Sequence, residues 1–458
     1  MLQSTQKRFL ALVTIIAALG GFLFGFDMAV VSGIIEPVKN QFNLSAASEG
    51  WFVSSALLGC IAGVAFSGSL SDAIGRKKVL FLAAILFLIS AVGFSFSQQY
   101  TLLISFRVLA GMAVGVASNI SPLYISEIAP ARNRGALVTF YQLAITIGIL
   151  VAYLSNYFIQ LSISQNSSSS LAGYFTGEAW RLMFFVSAIP ASLFLLLLLI
   201  VPESPRWLMK QGKESASLTV LSKIHDREEA ETELLSIKKI TSSGNSGKIH
   251  LTKKPMATIL ILVMALTALS QFSGINGVIF YGPTILHSAR IVTQDALLYQ
   301  VMLGAANMLF TLIAIWKVDS WGRRPLYIYG SLFAGIALAL TGLCFAFDIK
   351  GYILLSCMML FLLFFAFSLG PLKFVLATEF FPTEIRGKAL SICILTMWGA
   401  DWLVNLLFPV IRENLGIAAT FFLFAFFCLV SFYIAKKYLP ETKGKSLEEI
   451  GQSILTHR

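Results

Sequence analysis

The chain has 458 residues, of which 57% are hydrophobic and 12% charged, about half the charge of a soluble globular protein. That balance excludes a water-soluble enzyme or binding module and requires an integral membrane protein. A formal net charge of +11 raises the question of a nucleic-acid partner, and the placement of the basic residues answers it in the negative.

Apolar runs of about 20 residues suit membrane-crossing helices, and the alternation that a closed barrel needs is missing. Twelve spans are expected, near residues 9–34, 51–71, 79–98, 101–124, 136–160, 181–201, 256–286, 297–318, 326–347, 351–375, 389–411 and 417–437. With both ends cytoplasmic, only Lys39, Arg181, Arg290, Lys350 and Arg412 of the 34 Lys and Arg fall outside, and Arg107 and Lys373 fall within spans. This positive-inside bias orients the chain, so the basic excess is topological. Lys7-Arg8 before an apolar run imitates a signal peptide. The run is too long and contains Asp27, so it is the first span.

That span reads GGFLFGFDMAVVSG. Its glycines allow close helix approach or bending. Asp27 lies mid-span, where an ionised carboxylate is costly without a partner or water. The second span is again rich in small residues and ends at Asp72. The fourth holds Arg107, which either snorkels to a helix end or partners a buried acid. The fifth holds Gln142 and Ile149; a paired buried amide is tolerated and suits a neutral polyol.

Residues 202–254 form one long polar segment with mixed charge from Glu214 to Lys239, which predicts short cytoplasmic helices. The Gly444-Lys445-Ser446 triplet lacks the upstream glycine of a phosphate loop. Five cysteines sit singly in apolar spans, as small core residues do. The four histidines form no nucleophile–base set. No enzyme activity, metal site or other cofactor is expected.

The seventh span, SQFSGINGVIFYGP, is glycine-interrupted and carries Ser270, Gln271, Asn276 and Phe280. Broken helices at membrane depth occur where a cavity or substrate compensates the backbone. The eighth span adds Asn307. The tenth, SLGPLKFVLATE, is interrupted at Gly370-Pro371 and carries Lys373 and Phe374. The eleventh adds Met397, Trp398, Asp401 and Asn405. Any one amide is equally well explained by a helix–helix hydrogen bond; together they exceed what packing requires.

Three charged motifs occur twice, in the same order. Asp72, Gly75, Arg76 and Lys77 correspond to Asp319, Gly322, Arg323 and Arg324. Glu127, Pro130, Arg134 and Gly135 correspond to Glu379, Pro382, Arg386 and Gly387. Pro202-Glu203-Ser204-Pro205 corresponds to Pro440-Glu441-Thr442. Ordered repetition means two related halves. The expected divisions are 1–201 and 255–440 as bundles, 202–254 as a cytoplasmic linker and 441–458 as a tail. Topology signals account for the basic residues but not for the glutamates. Glu127 and Glu379 are therefore expected to pair with Arg76, Arg134, Arg323 or Arg386 in a cytoplasmic gate that Asp72 and Asp319 join.

GRKK and WGRR after the second and eighth spans, Arg-Gly after the fourth and tenth, PESPRWL and PETKG resemble the sugar porter family of the major facilitator superfamily over nearly the whole chain. Within it the chain is most similar to bacterial sugar–proton symporters of the xylose type. The resemblance implies an all-α membrane protein with twelve transmembrane helices in two pseudo-symmetric six-helix bundles, working by alternating access. It further implies a multi-pass protein of the bacterial inner membrane, a functional monomer in lipid, with a small-molecule sugar and protons as its partners. Proton coupling is implied at Asp27 with Arg107. Sugar contacts are implied at Phe24, Gln142, Gln271, Asn276, Asn307, Phe374, Trp398 and Asp401.

Departures from the family pattern mark specificity positions. Ser270 replaces the first of two glutamines, Phe280 a tyrosine, Phe374 a tryptophan preceded here by Lys373, and Asp401 an asparagine. Ile149 replaces a glutamine of the xylose-type symporters, and Met397 adjoins Trp398. The sugar is left open among pentoses, hexoses and inositols. If Arg107 approaches and recedes, Asp27 takes and releases one proton per cycle. A structural pair in a facilitative uniporter is the alternative, and a non-transporting sugar sensor a more distant one. Lys373 and Asp401 either clamp a polar or acidic sugar or neutralise one another, unless Lys373 simply snorkels.

Overall fold

The computed structural model describes residues 4–130, 134–165, 178–224, 226–242, 256–291, 293–381 and 383–441, and these contain helices and no strand. In chain order the first elements are α1 (Ser4–Val30), α2 (Ile35–Phe42), α3 (Ala46–Ile74), α4 (Arg76–Phe96), α5 (Tyr100–Ile128), α6 (Arg134–Gln165), α7 (Ala179–Phe185) and α8 (Ala188–Leu197). Three short helices follow in the polar segment: α9 (Pro205–Lys210), α10 (Glu214–Ser222) and α11 (Arg227–Ser242). The second half holds α12 (Met256–Phe272), α13 (Ile275–Ser288), α14 (Thr293–Trp321), α15 (Arg323–Ala346), α16 (Tyr352–Phe367), α17 (Leu369–Glu379) and α18 (Thr383–Tyr438).

Eleven stretches of the described residues are long and apolar enough to cross a membrane. The last element, α18, spans 56 residues, against about 20 needed to cross a bilayer once. Its Gly416 is non-helical (φ 82°, ψ 161°). Two helices therefore meet at this kink, and they supply two of the twelve expected spans.

Both predicted interruptions occur. Helices α12 and α13 meet at Gly274, which adopts the left-handed conformation (φ 78°, ψ 17°). Helices α16 and α17 meet at Ser368, two residues before Gly370. The displacement follows from Pro371, which has no N–H to offer the carbonyl of Phe367 and whose ring crowds that carbonyl. In the polar segment Ser204 caps α9 by accepting from the Trp207 amide, with Pro205 in the first turn. Met209, Leu221, Ala230, Leu234 and Ile237 close a small apolar core there. The helix-like stretch Glu214–Lys239 is thus broken between Ser222 and Arg227.

The chain condenses into two compact units, the second of which draws on both sequence halves. One comprises Met1–Asp27, Gly59–Ile149 and Phe184–Lys248; the other comprises Met28–Leu58, Leu150–Met183 and Ile249–Arg458. In the first unit α1 and α6 approach through reciprocal glycines. A Cβ on Gly25 would collide with the carbonyl of Ile145, and one on Gly148 with that of Phe22. Backbone contact of this kind is how small residues pack membrane helices, and it fixes the turn of α1 that bears Asp27.

In the second unit, stretches from the two sequence halves share contacts. Glu49 at the start of α3 is 1% exposed and receives Lys39 Nζ at 2.7 Å and Arg412 of α18 at 3.2 Å. The Tyr153 hydroxyl of α6 donates to the Ile279 carbonyl of α13 at 3.0 Å. Cys344 and Cys357, which sequence spacing did not pair, place their sulfurs 3.9 Å apart as free thiols.

One device is built twice. Gly75 (φ 105°) precedes α4, and Glu203 accepts from the amides of Arg76 at 2.9 Å and Lys77 at 3.1 Å. Gly322 (φ 86°) precedes α15, and Glu441 accepts from the amides of Arg323 at 3.0 Å and Arg324 at 3.2 Å. A helix N-terminus has unpaired N–H groups and positive partial charge, so a carboxylate is the fitting cap. This explains physically why the glycine–basic motif and the Pro-Glu motif recur together.

Candidate functional site

In the first unit, Asp27 on α1 faces Arg107 on α5. The two are 4% and 0% exposed, with Arg107 Nη1 3.6 Å from Asp27 Oδ2. Burial of Arg107 rules out snorkelling. The separation is that of an ion pair wider than a hydrogen bond, so the charges attract while the carboxyl oxygen is not locked. Gln142 is half-buried on α6, Ile149 is 6% exposed, and Phe24 is half-buried on α1.

A second cluster lies in the second unit, where the break at Gly274 turns α13 so that Asn276 meets α18. Asn276 Nδ2 donates to Asp401 Oδ2 at 2.6 Å and to Gln271 Oε1 at 3.2 Å. Gln271 Nε2 reaches Ser270 Oγ at 3.3 Å. Asn405, one turn beyond Asp401, donates to Asp401 Oδ1 at 2.8 Å, and the Tyr281 hydroxyl donates to the Asn405 carbonyl at 3.1 Å. Lys373 of α17, half-buried, interacts electrostatically with Asp401. Asp401 itself is 2% exposed. Trp398, Met397 and Phe280 are buried beside these positions in the chain. Asn307 is buried too, but its side chain joins no hydrogen bond of the cluster.

A third cluster gathers the repeated charges of the first half. Arg76 grips Glu127 with two bonds of 2.9 Å and Asp72 with one of 2.8 Å. Lys210 joins Asp72 at 3.1 Å, and Ser204 donates to Glu127 at 2.5 Å. Of the second-half counterparts, the side chains of Asp319, Glu379 and Arg386 lie outside the described residues, as do those of Arg134 and Phe374. Arg323 is placed by its backbone bond to Glu441.

The sequence and the fold match known proteins. The family model for "Sugar (and other) transporter" matches residues 13–453. The chain belongs to this transporter family. The D-xylose-proton symporter of Escherichia coli (strain K12) is 38% identical to this family member over 470 residues, covering 96% of this chain and 94% of the relative. The arabinose-proton symporter of Bacillus subtilis (strain 168) is 36% identical over 450 residues, covering 98% and 96%. Among solved structures, the E. coli xylose transporter in a partially occluded inward-open conformation matches with a TM-score of 0.85 at 35% identity, covering 96% of this chain and 100% of that one.

Two contacts of these clusters go beyond the sequence analysis: Asn405, named there, donates to Asp401, and Tyr281 donates to the Asn405 carbonyl. Asn405 lies four residues after Asp401 on one helix face, a spacing that signalled the contact. Tyr281 gave no such signal, because its partner is distant in the chain.

Proposed function

We propose that this sugar transporter is a proton-coupled symporter of a neutral monosaccharide or related polyol working by alternating access. The observation that supports it is the buried Asp27–Arg107 pair at 3.6 Å, in a chain whose relatives include proteins named as arabinose- and xylose-proton symporters. A buried carboxyl beside a guanidinium that it does not hydrogen-bond is able to exchange a proton when the separation changes. Membrane potential supplies about 2.3 kcal/mol per charge per 100 mV to such a step. The amide cluster around Asn276 is the sugar-binding surface of the second unit; the resemblance implies that Phe24 and Gln142 also meet the sugar. Asp72, Arg76, Glu127 and their counterparts form the cytoplasmic gate. The protein resides in a bacterial inner membrane with both termini cytoplasmic.

The test is uptake into proteoliposomes under an imposed proton gradient, with D-xylose, L-arabinose, D-glucose and myo-inositol offered in turn. Asp27→Asn is expected to abolish accumulation while sparing sugar counterflow. Accumulation by that variant at the wild-type level would assign the pair a structural role in a uniporter.

A further inference from the structure

Asp401 accepts from two side-chain amides, Asn276 and Asn405, and those bonds bear on what the site recognises. We propose that Asp401 locks the polarity of Asn276, so that the substrate meets an acceptor there and must donate a hydroxyl proton to it. The proposal rests on the reading that sugar binds at these amides.

The amide nitrogen of Asn276 has two N–H bonds, and both are used within the protein, on Asp401 Oδ2 at 2.6 Å and Gln271 Oε1 at 3.2 Å. An ionised carboxylate accepts and cannot donate. Both oxygens of Asp401 act as acceptors, Oδ2 for Asn276 and Oδ1 for Asn405, so Asn276 turns its nitrogen inward and its oxygen away. The other oxygen of Asp401 does the same to Asn405, whose Nδ2 also bonds the Asp401 carbonyl at 2.9 Å. Lys373 adds a cation, so the groups that meet this carboxylate are amide donors and an ammonium. Asn276 Oδ1 takes no hydrogen bond from a described residue and is not sealed from solvent. It is the atom left to a ligand.

An asparagine at 401 would impose no such choice, since its amide presents either a donor or an acceptor and its partner is free to flip. With Asp401 the substrate class narrows. Neutral sugars and polyols with a hydroxyl donor at that point fit. Fluorine, ether oxygen and carboxylate, which only accept, are rejected there. The pair of charges therefore selects against acidic sugars at Asn276 rather than for them.

Two measurements on the full chain test this. The first is competition by D-glucose, its deoxy series and its deoxyfluoro series in proteoliposomes. In the wild type, at one carbon, the deoxy and deoxyfluoro analogues should both bind about 10- to 100-fold worse than the parent, as expected for a lost buried hydrogen bond. In Asp401→Asn the deoxyfluoro analogue at that carbon should regain about threefold or more over the deoxy one. The double variant Asn276→Asp/Asp401→Asn, which returns an acceptor to position 276, should reject fluorine again. An unchanged fluoro-to-deoxy ratio at every carbon in Asp401→Asn overturns the proposal. The second measurement needs no sugar: hydrogen exchange of the ¹⁵N-labelled Asn276 side chain, assigned with Asn276→Asp. Both amide protons should be protected in the wild type and one released in Asp401→Ala; identical exchange in the two proteins overturns the lock. If no sugar competes or is carried while the exchange result holds, the transport reading fails alone.

Discussion

Glu49 and Arg412 lie 363 residues apart in the chain and share an ion pair of 3.2 Å in which the carboxylate is 1% exposed. Lys39 holds the same carboxylate at 2.7 Å, so one acid from the first half ties down two cations, one of them from the second. Removing one partner of a buried pair costs about 3–5 kcal/mol, because the other charge is left uncompensated. Arg412→Met leaves Glu49 with Lys39, whereas Glu49→Gln leaves two cations without an anion. Glu49→Gln should therefore lower the thermal midpoint in detergent more than Arg412→Met does. It should also speed maleimide labelling of a cysteine placed at Leu406, whose carbonyl packs against Gly50 beside Glu49. Equal labelling in both backgrounds would show that the pair does not hold this seam.

The two carboxylate caps make a prediction about glycine. Gly75 and Gly212 both have positive φ, at 105° and 73°. A side chain at Gly75 would also strike the Glu203 carboxylate, whereas at Gly212 it meets nothing within 4 Å. Left-handed backbone alone costs an alanine about 1–2 kcal/mol. Gly212→Ala should stay near that figure in a thermal unfolding series. Gly75→Ala should exceed it, both from the collision and because φ 105°, ψ 158° is a backbone region open essentially to glycine alone. Glu203→Ala, which keeps that backbone and leaves the amides of Arg76 and Lys77 without their acceptor, isolates the cap. If Glu203→Ala melts with the wild type, the cap is not stabilising.

Most of the fold was legible because a bilayer permits few solutions. Apolar length placed the spans, and Gly274 and Pro371 announced the broken helices through backbone chemistry alone. The repeated Gly-Arg and Pro-Glu motifs were visible as repeats, but that each glutamate caps the helix after each glycine required coordinates, since the partners are about 120 residues apart. Asp27, Asn276 and Asp401 were legible as expensive polar groups in apolar spans. Glu49 was not: beside a predicted loop a charge is unremarkable, and only tertiary packing buries it.

Asn307 separates ligand contact from packing. Its side chain takes no part in the hydrogen bonds of the Asn276 cluster, whereas Gln271 both accepts from Asn276 and reaches Ser270. Gln271→Ala is expected to weaken sugar binding about 10- to 100-fold and to lower stability as well, since it strands one N–H of Asn276. Asn307→Ala should leave the thermal midpoint nearly unchanged. A loss of affinity in that variant would then report a direct contact, measured by sugar-induced quenching of tryptophan fluorescence. No loss would remove Asn307 from the binding surface.

Arg76 tests whether the gate depends on charge or on shape. Its guanidinium bonds Glu127 through two nitrogens at 2.9 Å and Asp72 at 2.8 Å, and also donates to the Ser71 carbonyl at 3.0 Å. A lysine keeps the charge but is a point donor on a flexible stem and cannot span both carboxylates in one plane. If the cluster works through that geometry, Arg76→Lys should slow counterflow nearly as much as Arg76→Met. Glu127→Gln should be milder, because an amide still accepts from one arm of the fork and from Ser204, which donates at 2.5 Å. Initial counterflow rates at matched protein content decide between the two. Wild-type rates in Arg76→Lys would mean that positive charge alone is needed at this position, and the repeated arginines would revert to topology signals.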